Sequence, residues 1–98
     1  MTGWSKPKLN SLGYWHSNKS FGKYVKGESY PSEVDVSVPS SRSHLVYVAS
    51  FGMRPDWLPP IHAEGNITGK TMQEAMKRGQ VLVDKFWKYY QNALKAGR

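Results

Sequence analysis

The last quarter of the chain carries a hydrophobic pattern that only a helix satisfies. Within residues 71–96 apolar side chains recur every three or four positions and, at ~100° per residue, fall on an arc of roughly 160°. The residues on this arc are Met72, Ala75, Met76, Gly79, Leu82, Val83, Phe86, Trp87, Tyr90, Ala93 and Leu94. The opposite face carries Gln73, Lys77, Gln80, Asp84, Lys88, Gln91 and Lys95. The pattern predicts one long amphipathic helix that the rest of the chain must cover on its apolar side.

The ends of this helix are also marked. Thr71 and Glu74 have the spacing of a capping box, in which each side chain satisfies a backbone amide of the first turn. Gly97 is a stop signal. Gly79 lies in the middle of the apolar arc, where glycine costs ~1 kcal/mol of helix propensity relative to alanine. Its presence there predicts that a strand or an aromatic side chain approaches the helix backbone closely.

The middle of the chain has the patterns of β-strands. Residues 33–38 alternate strictly, which puts Val34, Val36 and Val38 on one face. Residues 44–51 are almost continuously apolar or β-favouring, which is typical of a central strand covered on both faces. The turn between them predicts an antiparallel hairpin.

These patterns predict an α+β fold: a small antiparallel sheet of three to four strands packed against one long C-terminal helix. At 98 residues the chain is expected to form a single domain, residues 1–98. Its parts are a basic, aromatic-rich N-terminal segment (1–31), a β-hairpin with a proline-rich loop (33–70) and the amphipathic helix (71–96). In the N-terminal segment, which lacks a clean period, residues 21–26 are predicted to form one strand.

The stretch GNITGKT, residues 65–71, looks like the end of a phosphate-binding loop. Such a loop needs four residues between its first glycine and Gly-Lys-Thr, whereas only three separate Gly65 from Gly69. The residue at the required position is Glu64, whose carboxylate would repel phosphate. We therefore predict a turn that runs into a capped helix. Lys70 beside the amides of the helix N-terminus would still favour an anion.

No set of residues predicts catalysis. The chain has no cysteine, so His62-Ala63-Glu64 lacks the cysteine pair of the zinc deaminase motif that it matches. The three histidines have no helical i, i+4 partner, and no Ser–His–Asp arrangement can be recognised. We expect a non-enzymatic protein without cofactor, metal site or catalytic residues.

The charge of the chain is concentrated toward its ends. Of the net charge of +7, residues 1–31 carry +4 (five lysines, one glutamate) and residues 71–98 carry +4 (six basic, two acidic residues). Residues 32–70 carry −1 (three basic, four acidic residues). Basic ends attract a polyanion such as nucleic acid or an acidic protein surface.

The N-terminal segment combines this charge with aromatic rings, which can stack on bases while lysines neutralise phosphates. The predicted nucleic-acid-binding residues are Trp15, Lys19, Phe21, Lys23, Tyr24 and Lys26. Over about eight residues the segment resembles the aromatic strand of cold-shock and RNA-recognition domains. Ser20 and Lys23 break the motif, so the resemblance implies no family. The alternative is that these rings complete the core.

The leading hypothesis is therefore a small nucleic-acid-binding module. The rival is a protein-interaction or inhibitor protein, for instance a phage-type accessory or anti-defence factor or an assembly subunit. The capped helix after a short hairpin is similar to the closing element of several small families, including antitoxins and phage accessory proteins, and implies no activity. The predicted interaction surface comprises Lys70, Lys77, Trp87, Lys88 and Tyr89. The exposed part of the helix around Trp87 and Tyr89 would be the contact, or the seam of a possible homodimer.

No apolar run reaches the ~18 residues of a membrane-spanning helix, and the first ten residues lack the apolar core of a secretion signal. From these features we expect a cytoplasmic protein that does not enter a membrane.

Overall fold

The fold is a four-stranded antiparallel sheet with one helix. The structure, a computed structural model, describes residues 3–21, 33–42, 46–50, 57–58 and 70–97. The strands are β1 (Lys8–Leu9), β2 (Tyr14–Ser20), β3 (Glu33–Pro39) and β4 (Tyr47–Ser50), and the helix is α1 (Met72–Lys95). The predicted α+β class is confirmed, whereas the assignment of residues 1–31, 33–70 and 71–96 to separate parts of one domain stays a prediction.

The strands lie in the sheet in the order in which they occur in the chain, and each pair is antiparallel. β3 pairs with β2 from Tyr14↔Pro39 to Ser20↔Glu33 and with β4 from Val34↔Ser50 to Ser37↔Tyr47. The predicted hairpin between β3 and β4 is confirmed. Residues 44–51 were expected to form a central strand. This prediction is wrong for the described sheet, in which β4 is the last strand and β3 has a neighbour on both sides.

The hairpin of β1 and β2 has no hydrophobic period that would reveal it in the sequence. Asn10 stabilises the turn of this hairpin, because its side-chain Oδ1 accepts from the amides of Leu12 and Tyr14 at 2.9 and 3.0 Å. Gly13 adopts a φ of +84°, a conformation that glycine reaches without steric cost. The strand predicted at residues 21–26 is not formed at Phe21, which follows the end of β2, and residues 22–26 lie outside the described ranges.

The predicted helix and its caps are confirmed. Thr71 is the N-cap, and its Oγ1 accepts from the Glu74 amide at 3.2 Å. In a standard capping box the Glu74 carboxylate would accept from the amide of the N-cap residue, Thr71. Here its Oε2 accepts from the amide of Lys70, one residue earlier, at 2.8 Å. The chain leaves the helix at Gly97, which has a φ of +77°. The 24 residues of α1 extend over about 36 Å.

The core lies between α1 and the sheet. Val34, Val36 and Val38 are fully buried on the helix-facing side of β3. Gly79 meets this layer: a Cβ placed on it would lie 2.7 Å from Cγ1 of both Val36 and Val46. The predicted close approach of a strand to the helix backbone is therefore present at Gly79. Trp57 and Leu58, from the proline-rich segment, are also buried in the core.

A segment before β1 covers one flank of α1. The amide of Ser5 donates to the carbonyl of Asn18 at 2.9 Å, which extends the pairing with β2 to Ser5. Beneath it, the buried Ser17 donates from Oγ to the Ser5 carbonyl and accepts from Gln80 Nε2 at 3.1 Å. Gln80 and Asp84 were predicted on the polar face of the helix, but both are partly buried because this segment packs over them.

Candidate functional site

The alternation of β2 places both of its predicted binding residues, Trp15 and Lys19, on the same face of the sheet. Trp15, Ser17 and Lys19 pair across the sheet with Val38, Val36 and Val34, whose side chains are buried under α1. These odd-numbered residues therefore belong to the helix-facing side of the sheet. Trp15 is partly buried against the core.

Lys19 already has an anionic partner within the chain. Its Nζ lies 3.0 Å from Asp84 Oδ1, and the two side chains are 22% and 37% exposed. The ammonium also lies over the rings of Trp4 and Phe21, at 5.9 and 5.0 Å from their centroids. A phosphate group would have to displace Asp84 to reach it. We therefore do not include Lys19 in a binding surface.

Phe21 is likewise committed to the fold, since only 7% of it is exposed. Its ring packs against Trp57 at 4.9 Å and Trp87 at 5.4 Å, and Trp87 stacks on Tyr90 at 5.8 Å. Trp87, predicted as a contact residue, is thus a partly buried member of this aromatic cluster. The remaining predicted residues of the N-terminal segment, Lys23, Tyr24 and Lys26, lie outside the described ranges.

The other face of the sheet carries a small polar cluster. Asp35 Oδ2 accepts from Ser37 Oγ at 2.8 Å, and Asp35 Oδ1 lies 3.5 Å from His16 Nδ1. The rings of Tyr14 and Tyr47 pack together beside it at 6.0 Å. The carboxylate lies between the serine and the histidine, so the imidazole cannot take a proton from Ser37 as the base of a catalytic triad does.

The N-terminus of α1 is already occupied by side chains. Lys70 is exposed there, as predicted, but its own amide donates to the carboxylate of Glu74, and the amide of Glu74 donates to Thr71. The carboxylate of Glu74 also offsets the positive end of the helix dipole. The Glu74 carboxylate thus already takes the place of an anion beside Lys70, and a role for the Lys70 side chain in binding stays a prediction.

The outer face of α1 has a different character. Four lysines and one tyrosine on it are exposed, and we refer to them as the basic helix surface: Lys77, Lys85, Lys88, Tyr89 and Lys95. From Lys77 to Lys95 this surface extends about 27 Å along the axis, at ~1.5 Å rise per residue. In the described part of the chain, no carboxylate lies within ion-pairing distance of these lysines.

The second half of this surface is not flat. Lys85, Lys88, Tyr89 and Asn92 surround a shallow hollow of about 300 Å³. Tyr89 stands at its edge with 64% of its surface exposed. Lys77, Lys88 and Tyr89 belong to the interaction surface predicted from the sequence, whereas Lys85 and Asn92 do not. A helical wheel with 100° between residues identifies Lys85 and Asn92 as well, because both point away from the buried arc.

No group of three His, Asp or Glu side chains in the described ranges could hold a metal ion. Of the helices described, none is long and apolar enough to cross a membrane. Comparison of the chain with protein-family models, with curated proteins and with solved structures gave no significant match. The geometry of the chain itself is therefore the basis for assigning a function.

Proposed function

We propose that this protein binds nucleic acid through the basic helix surface. The observation that carries the proposal is the row of four exposed lysines without a described carboxylate partner, beside an exposed tyrosine. Clustered like charges on a helix lower its stability by a few tenths of a kcal/mol per pair, roughly 0.2–0.5. Lys85 and Lys88 lie one turn apart, so the fold alone gives no reason to bring these two charges together.

A nucleic-acid backbone suits the dimensions of this surface. It offers a continuous line of phosphates, and each lysine that neutralises one releases a condensed counterion, which favours binding at low salt. A rod of lysines about 27 Å long can follow such a line over several phosphates. The net charge of +7 would speed the encounter with any polyanion.

Tyr89 supports nucleic acid over other polyanions. Its ring is the exposed aromatic side chain of this surface and stands beside the lysines at the edge of the hollow. Aromatic rings beside lysines can stack on bases or sugars without sequence preference. An acidic protein surface would be attracted by the same charges, but it would not present a row of flat bases on which the ring can stack.

The test is binding of a short labelled oligonucleotide, single-stranded and duplex, followed by fluorescence anisotropy between roughly 50 and 200 mM salt. The variant Lys85→Gln/Lys88→Gln removes two charges from the basic helix surface. Its matched control, Lys8→Gln/Arg42→Gln, removes two exposed charges from elsewhere in the chain. We expect the slope of log affinity against log salt to fall by about 1.4 for a single strand, or 1.8 for duplex, in the helix variant only.

Two outcomes would contradict the proposal in different ways. Equal losses in both variants would mean that net charge alone attracts the oligonucleotide. Absence of any binding at the lowest salt would reject nucleic acid as the partner and leave the protein-interaction or inhibitor hypothesis, for which an acidic protein surface is the expected partner.

A further inference from the structure

A groove separates the segment before β1 from the first half of α1. One wall comes from Trp4 to Pro7 and the other from helix residues that include Met72, Gln73 and Lys77, and they enclose about 360 Å³. This volume is within the range of small-molecule sites, ~300–1,000 Å³. We refer to it as the Trp4 groove.

The aromatic wall of the groove is fixed in place. Trp4 Nε1 donates to Asp84 Oδ2 at 3.1 Å, and the other oxygen of Asp84 is bonded to Lys19. The Trp4 ring meets Phe21 edge to face, with 6.1 Å between centroids and 79° between planes. Because these contacts set the ring orientation before any ligand arrives, binding against it carries little ordering cost.

The chemistry of the groove combines apolar walls with a cationic rim. Trp4, Pro7 and Met72 supply apolar surface, while Lys6 and Lys77 are exposed at its edges. The negative charge of Asp84, which also lines the groove, is compensated by Lys19. A flat ring that carries phosphate matches these walls and this rim, and a nucleotide is such a ligand.

The groove continues into the basic helix surface, because Lys77 belongs to both. A strand that follows the lysines of α1 therefore passes the mouth of the groove. A base in a duplex is stacked and paired and cannot enter, whereas an unpaired base can turn out of the strand. We infer that the Trp4 groove takes one unpaired base, so that single-stranded nucleic acid is the preferred ligand. This inference rests on the proposed function.

The test fills the groove without touching the core. Gln73 is exposed and lines the groove, so Gln73→Trp would block it. Gln91 is also exposed and lies on the same side of α1 five turns further along, so Gln91→Trp is the matched control. We expect Gln73→Trp to weaken single-strand binding about tenfold and to leave duplex binding unchanged, since one base–aromatic stack is lost. The control should change neither.

Each other outcome overturns the inference. If Gln73→Trp leaves single-strand binding unchanged while the wild-type protein binds oligonucleotides, the groove is not a base site and the proposed function stands. If single-strand and duplex binding fall equally, the substitution acts through the neighbouring lysine. If the wild-type protein binds no oligonucleotide, the proposed function fails and this inference fails with it. Circular dichroism of both variants checks that α1 is retained.

Discussion

The two halves of α1 do different things for the molecule. All four of its buried residues, Ala75, Met76, Gly79 and Val83, lie in the first half. The second half has partly buried aromatic rings on one side, and it exposes Tyr89 and Leu94 by 64% and 52%. One amphipathic pattern can therefore serve both a core and a surface, because the pattern shows which side of the helix is apolar and not whether anything covers that side.

The reason is a mismatch of length. The longest strands of the described sheet have seven residues and extend about 23 Å. The helix extends about 36 Å. A strand of this sheet cannot cover the whole helix, so the described sheet seals the first half most tightly and the second half is supported by the aromatic cluster around Trp87 and Phe21. The part of the basic helix surface in the second half, from Lys85 to Lys95, can therefore change without disturbing the core.

The largest effect in this comparison is expected from Gly79→Ala. The new Cβ would lie 2.7 Å from methyl carbons of Val36 and Val46, whose β-branched side chains have little rotamer freedom. Overpacking costs up to ~3 kcal/mol, and the ~1 kcal/mol that alanine gains in helix propensity leaves a net loss of about 2 kcal/mol. Urea unfolding followed by circular dichroism measures it.

The matched change in the second half is Gln91→Ala, at an exposed position with nothing to displace. It should alter the free energy of unfolding by less than about 0.5 kcal/mol. A Gly79→Ala variant that is more stable than the wild type would mean that helix and sheet are further apart than the structure has them.

A smaller loss is expected from Asp84→Ala, at the boundary between the two halves. It removes the acceptor of Trp4 Nε1 and the partner of the Lys19 ammonium, both partly buried. We expect a loss of about 1–2 kcal/mol. A double-mutant cycle with Lys19→Met separates the contributions, and the coupling between Lys19 and Asp84 should be at most about 1 kcal/mol because both are partly exposed. A coupling near zero would remove the reason for excluding Lys19 from the binding surface.

The smallest effect is expected from Leu94→Gln, in the exposed last turn. If this turn faces water, the free energy of unfolding changes by less than about 0.5 kcal/mol. If the end of the helix is a dimer seam, the substitution lowers stability and the unfolding midpoint of the wild-type protein rises with its concentration. Sedimentation equilibrium of both proteins distinguishes the two cases.

The sequence predicts the regular elements better than the surfaces. The 3.6-residue and two-residue periods locate α1 and β3, because each period depends on residues that are near one another in the chain. Gly79 in the apolar arc likewise predicts the close contact between the helix and the sheet. β1 and β2 are missed, since Asn10 and Gly13 stabilise their hairpin through a turn and not through a period.

The candidate site is harder to predict because it depends on distant partners. Lys19 looks like a phosphate-binding residue until Asp84, 65 positions away, is found beside it. Phe21 looks like a stacking platform until the tryptophans from the proline-rich segment and the helix surround it. Lysines on the outer face of α1 need no such knowledge, so Lys77 and Lys88 could be identified from the helical period alone.

The bond between Trp4 and Asp84 has a kinetic consequence. It joins residues 80 positions apart in a chain of 98, so the loop that it closes contains most of the protein. Closing such a loop costs chain entropy that local contacts do not, and we expect the bond to form late, after β3 and α1 have met. An interaction absent from the transition state slows unfolding and leaves the folding rate nearly unchanged. This tether would therefore lengthen the lifetime of the native state and have little influence on the folding rate.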